Sequence, residues 1–377
     1  MKNTLAVTSV CNLACDYCYI GKSHSVMSLT TAGRIIDFIF RNAPENEKIE
    51  INFFGGEPLL EFDLLKKITD IIQLHPSYDA ESVTISVTTN GTIFSEKIAD
   101  FLLEKQMVLC ISCDGPPHLQ DASRHFPDGS ASSGIVEKNI RQALKIFPLT
   151  PVNAVYSPGN LQSLPDVVEY LSSIGVMNIY LNHNISAKWT KKEIDMLPQI
   201  YSDIGKKYLD YYIHKNPRYI SLIDSKIAII LRGGYQPLEK CRMGFGEFAF
   251  GPSGNVYPCE RFIGADDESL HCLGNINDGF TPKRTCGDNT NTAINTECIT
   301  CGLKDYCMNW CGCSNYFSTG NYQMVAPFIC ASEKSAIRVA FQIIKDMGDN
   351  ISSFSHHLAG TPLMNIVRET LTCEDRN

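Results

Sequence analysis

Between residues 1 and 235 short β-type runs alternate with helix-length amphipathic segments, and this alternation restricts the fold more than any other feature of the sequence. The β-type runs fall at 4–10, 49–54, 83–88, 108–112, 152–156 and 177–182. The amphipathic segments between them fall at 30–41, 62–74, 95–105, 134–147 and 164–174. Strands joined through helices pair in parallel, so the pattern predicts an α/β domain, either an open doubly wound sheet or an incomplete barrel. In both, chemistry sits at the carboxyl ends of the strands. Residues 192–214 and 217–232 read as further helices. After Gly233 the composition turns to Gly, Cys, Asn and Thr with weak periodicity as far as Cys330, as in a loop-rich domain organised by metal. Residues 331–347 read as a closing helix. The expected division is 1–235, 236–330 and 331–377, the last being that helix and a tail.

The chain has 377 residues, enough to bury a large core, and 44% of them are hydrophobic, which excludes a disordered chain. Lys and Arg number 33 against 41 Asp and Glu, a net charge of -8 that does not suit a nucleic-acid binder. No apolar run approaches the ~20 residues that span a bilayer. Met1 and Lys2 lead into Asn3 and Thr4 rather than into an apolar signal core, so the expectation is a soluble, cytoplasmic protein that binds neither membrane nor nucleic acid.

The cysteines are the anomaly. Sixteen of them in a chain without an export signal point to metal ligation rather than disulfides. They also cluster: Cys11, Cys15 and Cys18 crowd the start, nine lie between Cys241 and Cys313, and Cys330 follows. Only Cys110 and Cys113 fall in the long stretch between, in or beside the fourth strand, where they read as core thiols.

Cys11, Cys15 and Cys18 have the spacing C-x3-C-x2-C directly after the first strand. Three thiolates on one loop cannot complete a tetrahedral zinc site or a four-thiolate cluster site, so a metal centre built on them keeps one position open. Gly55, Gly56, Glu57 and Pro58 follow the second strand, where glycines let backbone approach a ligand and a carboxylate can accept from an ammonium. Thr89, Asn90 and Gly91 end the third strand. Ser112, Cys113, Asp114 and Gly115 end the fourth, with Asp121 and Arg124 beyond.

In this order and placement the motifs resemble the radical SAM superfamily over roughly residues 1–235. The resemblance implies a partial (β/α)6 TIM-type barrel in which Cys11, Cys15 and Cys18 hold three irons of a [4Fe-4S] cluster and S-adenosylmethionine chelates the fourth. Tyr17 is then expected against the adenine, Gly55, Gly56 and Glu57 at the methionine amino group, Ser112 at the ribose, Arg124 at the carboxylate and Ile179 in the adenine pocket. Asn90 and Asp114 are counted with these cofactor-binding residues.

Seven of the remaining cysteines, Cys241, Cys259, Cys298, Cys301, Cys307, Cys311 and Cys330, have spacings similar to the SPASM extension of radical SAM enzymes; a zinc ribbon is the other reading of the C-x2-C pair. The SPASM resemblance implies two auxiliary [4Fe-4S] clusters, three in all. Cys298, Cys301, Cys307 and Cys330 would hold the outer one, and Cys241, Cys259 and Cys311 the inner. Sulfatase-maturating members carry a further cysteine six residues after the first, where this chain has Glu247. The inner site is therefore open to a substrate thiolate, or is completed by Glu247 or by one of Cys272, Cys286 and Cys313. Glu260 follows Cys259 where sulfatase-maturating enzymes place an aspartate that takes a proton from substrate; its other reading is a solvated glutamate beside Arg261.

The expected function is maturation of a ribosomally made peptide through a thioether or carbon-carbon cross-link, the alternative being oxidation of a sulfatase Cys or Ser to formylglycine. Expected partners are the precursor peptide or protein and an electron donor such as flavodoxin or ferredoxin. Because Cys11 stands so near the start, a leader is expected to be held by the barrel, by the SPASM region or by a separate leader-binding protein.

Overall fold

The computed structural model describes residues 1–236, 239–268, 270–280 and 295–347. In chain order its strands are β1 Lys2–Thr8, β2 Ile49–Gly55, β3 Val83–Thr89, β4 Val108–Ser112, β5 Pro151–Tyr156, β6 Asn178–His183, β7 Tyr219–Ile220, β8 Glu247–Phe250, β9 Asn255–Tyr257 and β10 Gly274–Asn275. Its α-helices are α1 Leu29–Asn42, α2 Phe62–Gln73, α3 Glu96–Glu104, α4 Pro117–Ser123, α5 Ser133–Ile146, α6 Leu164–Ser173, α7 Lys191–Ile213, α8 Ser221–Leu231, α9 Thr296–Ile299, α10 Gly312–Thr319 and α11 Pro327–Met347. The chain divides into two compact units. One comprises Met1–Ser112, Gln120–Ile146 and Cys241–Gly287; the other comprises Cys113–Leu119, Phe147–Lys240 and Asp288–Asn377.

In the first unit the strand order is β10-β9-β8-β1-β2-β3-β4. From β8 to β4 neighbouring strands are parallel, as the strand-helix alternation requires. Ser28 and Ser95 start α1 and α3 by accepting N–H bonds from Thr31 and Ile98, which satisfies donors a helix cannot pair internally. Leu5, Ile51, Phe53, Ile85, Val87, Leu109 and Ile111 are buried along one face of the sheet.

Many of the alternate residues are polar. Registers Lys2↔Glu50↔Thr84 and Thr4↔Asn52↔Ser86 place these side chains on the opposite face, where the Ser86 and Thr88 hydroxyls donate to Asn52 Oδ1 at 3.0 and 3.2 Å. Parallel strands buried on both faces read as continuous apolar runs. Alternation in parallel strands instead marks one face as a wall built to meet polar groups.

β1 ends two residues before the run read from sequence, because Thr8 Oγ1 accepts the Val10 N–H at 3.1 Å and turns the chain out of the ladder. A hairpin turns around Gly254: β8 and β9 pair antiparallel, Gly254 has φ +91°, and its N–H donates to Gly251 O at 3.0 Å. Its pairing with β1 extends the parallel sheet, a long-range contact that no local pattern announces.

In the second unit β5, β6 and β7 are parallel. Residues 219 and 220, read from sequence as helix, form β7 ahead of α8, since Tyr219 and Ile220 pair with the end of β6. α7 opens on a reciprocal cap between Thr190 and Glu193. A buried hydroxyl chain runs from Tyr156 through Tyr201 to Ser332, at 2.9 and 2.8 Å, and ties β5, α7 and α11 together. α11 begins four residues earlier than expected, at Pro327, a residue suited to the first helical position, and so carries Cys330 in its opening turn.

Candidate functional site

In the first unit Cys11, Cys15 and Cys18 occupy the loop after β1, the first two half-buried and the third exposed. Backbone bonds hold this loop on the segment before α5: Ala14 N donates to His125 O at 2.8 Å and Asp16 N to Ser123 O at 3.1 Å. Between those anchors lies Arg124, buried, its guanidinium 5.3 Å from the Tyr17 ring centroid. Two residues expected at opposite ends of one cofactor therefore stack on each other.

Gly55 and Gly56 are needed for a close backbone approach. Gly55 has φ +126°, and a Cβ there would lie 2.2 Å from Thr8 O; one on Gly56 would lie 2.1 Å from Val10 O. The Gly56 N–H donates to Thr8 O at 2.7 Å and the Glu57 N–H to Val10 O at 2.8 Å. The end of β2 thus grips the backbone leading into Cys11.

Glu57 is fully buried. Its carboxylate accepts from Leu59 N–H at 3.0 Å and the Thr89 hydroxyl at 2.7 Å on one oxygen, and from Asn90 N–H at 2.7 Å on the other. Burial pushes this carboxyl up to about 7, outweighing the stabilising pull of those three donors and of Arg124. An ionised carboxylate has about four acceptor sites, so one remains for a further donor. The Asn90 side chain in turn donates to Asn12 Oδ1 at 2.8 Å and approaches Cys11 Sγ at 3.8 Å. Strand-end carboxylate, amide and thiol thereby form one connected network. Ser112 ends β4 half-buried, on the polar face of the sheet.

Other expected residues lie in the second unit. Asp114 is buried and accepts the Val155 N–H at 3.0 Å, so its carboxylate staples the chain to β5. Ile179 is fully buried in β6, in register with Val152. Of the expected core thiols Cys113 is buried; Cys110 is half-buried, and desolvation pushes its thiol up to about 12.

Cys259 and Glu260 follow β9 in the first unit. The ligand atoms of Glu247, Cys259 and Glu260 lie within 4.8 Å of one another, and the Cys259 thiol donates to Glu260 Oε2 at 3.5 Å. Glu247 also lies opposite Lys2 across the β8–β1 ladder; its charge, with Glu50, Glu260 and Cys259 adding to it, raises the Lys2 ammonium above its ordinary range. Cys241 is half-buried in the same unit. The segment after Cys18 docks here too: Gly21 N donates to Gly264 O at 2.6 Å, and a Cβ on Gly21 would meet Ala265 Cα at 2.6 Å.

In the second unit Cys298, Cys301, Cys307 and Cys330 line one small cavity together with Lys304, Asn309 and Lys334. Four thiols on one cavity, with ammonium and amide groups beside them, are a donor set for a four-thiolate metal or cluster site. Burial, then Glu333, raises the Cys307 thiol; burial also raises Cys330, against the pull of Lys334. Cys311 Sγ lies 3.6 Å from Cys313 Sγ, and the Cys272 thiol donates to Gly274 O at 3.3 Å. Cys286 lies outside the described residues.

Residues 5–174 match the radical SAM superfamily. The chain belongs to that superfamily. It is 31% identical over 278 residues to an uncharacterised protein of Methanocaldococcus jannaschii, covering 73% of this chain and 88% of the relative. It is 24% identical over 365 residues to the radical SAM cyclopropyl synthase TigE of Paramaledivibacter caminithermalis, with coverage of 89% and 72%. To a cysteine-type anaerobic sulfatase-maturating enzyme of Clostridium perfringens it is 22% identical over 366 residues, with coverage of 91% and 97%. The solved structure of native anSMEcpe with bound AdoMet shares the fold, with a TM-score of 0.74 at 21% identity over 93% of this chain and all of that one.

As a radical SAM enzyme the protein uses S-adenosylmethionine and a [4Fe-4S] cluster; the loop after β1 offers three thiols, Cys11, Cys15 and Cys18. Among the described residues no helix is long and apolar enough to cross a membrane. Sequence reasoning missed Asn12, whose amide links Asn90 and Thr92, and Lys2. It also missed the Lys226–Glu333 ion pair in the second unit. A single lysine within the apolar run of α8 was the one available signal for that pair.

Proposed function

We propose that this radical SAM enzyme modifies a ribosomally made peptide, joining two of its side chains by a thioether or carbon-carbon bond. When bound, S-adenosylmethionine and the iron-sulfur clusters would supply radical chemistry able to remove a hydrogen atom from the peptide and the electrons that this chemistry needs. Tyr17, Gly55, Gly56, Glu57, Asn90, Ser112, Asp114, Arg124 and Ile179 are assigned to holding that cofactor. Cys298, Cys301, Cys307 and Cys330 are assigned to one auxiliary cluster, and Cys241, Cys259 and Cys311 to a second. Glu260 takes the proton that the oxidised peptide must lose.

The observation that carries this reading is the convergence of four thiols on one cavity outside the N-terminal loop. A radical SAM enzyme that only cleaves its cofactor has no use for a second thiolate set, whereas a two-electron oxidation of a peptide needs an electron acceptor. The polar face carrying Lys2, Thr4, Asn52 and Ser86 suits an extended peptide, whose backbone offers donors and acceptors throughout. Similarity to TigE over 89% of the chain supports the same class. Sulfatase maturation is the second reading, favoured by Glu260 beside Cys259 and by alignment over 97% of a sulfatase-maturating enzyme. The partners implied are the peptide substrate and a flavodoxin or ferredoxin as electron donor.

The test is mass spectrometry after anaerobic incubation with two substrates, a short Cys-rich or aromatic-repeat peptide and a sulfatase-derived peptide containing its target cysteine. The proposal expects net loss of two hydrogens and a new cross-link in the first, with the second unchanged. Conversion of the second to an aldehyde with the first unchanged would establish sulfatase maturation instead.

A further inference from the structure

The second unit contains a buried ion pair that none of the assigned roles uses. Lys226 on α8 meets Glu333 on α11 at 2.6 Å, with side chains 3% and 14% exposed. Replacing a buried pair by apolar residues of similar volume is often neutral or stabilising, because two charges are costly to desolvate. Cohesion alone is therefore a poor reason for this pair, and its other bonds give a better one. Lys226 Nζ donates to Tyr306 O at 3.3 Å, and Glu333 Oε2 accepts the Met308 N–H at 2.5 Å. The residue between those two anchors is Cys307. The same strip of backbone is held once more where Tyr235 N donates to Asp305 O at 3.0 Å.

Glu333 stands three residues after Cys330 on α11, and residues so spaced share a helix face. The helix presenting one thiol of the cavity therefore also carries the carboxylate that fixes the loop presenting another. We propose that the Lys226–Glu333 pair is a positioning device that holds Cys307 at the separation from Cys330 that an iron-sulfur cluster needs, and so controls whether this site fills. The inference rests on the reading of the four thiols as an auxiliary cluster site. Cluster sites need several thiolates placed before the metal arrives, and Cys307 sits in a short extended stretch with little regular structure of its own. Holding the carbonyl before it and the N–H after it fixes its direction in a way that apolar packing cannot.

The test compares iron content and the electron paramagnetic resonance spectrum of full-length protein reconstituted anaerobically. K226M/E333M keeps volume but loses both backbone anchors; it is expected to bind about four fewer irons per chain and to lose one reduced-cluster signal, while AdoMet cleavage by the N-terminal site persists. K226Q/E333Q keeps a donor toward Tyr306 O and an acceptor toward Met308 N–H without charge, and is expected to restore that iron. Full wild-type iron in K226M/E333M overturns the proposal. If K226M/E333M lacks the wild-type far-UV spectrum, Glu333→Ala carries the same expectation and the same refutation. A Cys298, Cys301 and Cys330 triple alanine variant, which leaves one thiol on the cavity, separates the two levels: iron lost there but kept in K226M/E333M refutes positioning alone, and iron kept in the triple variant refutes the cluster reading itself.

Discussion

Glu57 offers a prediction in which pH reports directly on the proposed cofactor contact. Its carboxyl titrates near 7 in the folded protein against 4.5 when unperturbed. If the ionised form receives the ammonium of S-adenosylmethionine, binding below pH 7 must first expel a proton, so affinity falls about tenfold for each pH unit, or roughly 1.4 kcal/mol. Isothermal titration of the reconstituted protein should show binding about tenfold weaker at pH 6 than at pH 8. Glu57→Gln should be weaker at every pH and nearly flat. Stability moves the other way. A carboxyl raised on folding favours the folded state fully below about pH 4.5, and that contribution is lost as pH rises through 7, a swing of about 3 kcal/mol. Urea unfolding of the metal-free protein should show the difference between wild type and Glu57→Gln changing by that amount across this window. A pH-independent wild-type affinity, or the same slope in the variant, would refute the assignment of Glu57 to the ammonium.

Three other perturbations test neighbouring parts of the site. Gly56→Ala places a methyl group against Val10 O, 2.1 Å away; it should cost about 3 kcal/mol or more in urea unfolding and displace the cysteine loop, so wild-type stability with full iron would count against the close approach. Arg124→Ala removes the partner of the Tyr17 ring; about 1–2 kcal/mol of cofactor affinity should disappear with the fold intact, and calorimetry showing an unchanged dissociation constant would remove Arg124 from the site. Glu260→Gln should still yield 5′-deoxyadenosine while modified peptide falls by ~10²–10⁴ in rate; peptide modification at the wild-type rate with intact clusters would place the base elsewhere.

Much of the fold was legible because strand-helix alternation and cysteine spacing are local signals. Cys11, Cys15 and Cys18 could be read as a metal loop from spacing alone, and the helix bounds for α1, α2, α3, α5 and α6 lie within a residue or so of their amphipathic segments. The need for Gly55 and Gly56 was visible only as a motif; its cause is the approach of Thr8 O and Val10 O, from a strand some 46 residues away in the chain. The pairing of β8 with β1 was invisible for a similar reason, since two strands so far apart in the chain leave no periodic trace. Lys226 and Glu333 are 107 residues apart, and nothing local in either helix announces the loop that both side chains bind. Glu247 was singled out by position, and the structure adds its neighbours, Lys2 on one side and Cys259 with Glu260 on the other.

The central claim is one radical-generating cluster on the N-terminal loop with further clusters on the later cysteines. Iron, sulfide and S-adenosylmethionine cleavage, measured together on anaerobically reconstituted wild type and on the Cys11, Cys15 and Cys18 triple alanine variant, test it most directly. The account predicts about twelve iron and twelve sulfide per chain in the wild type, and about eight of each with no cleavage in the variant. Zinc in place of iron, or cleavage undiminished in the variant, would contradict it.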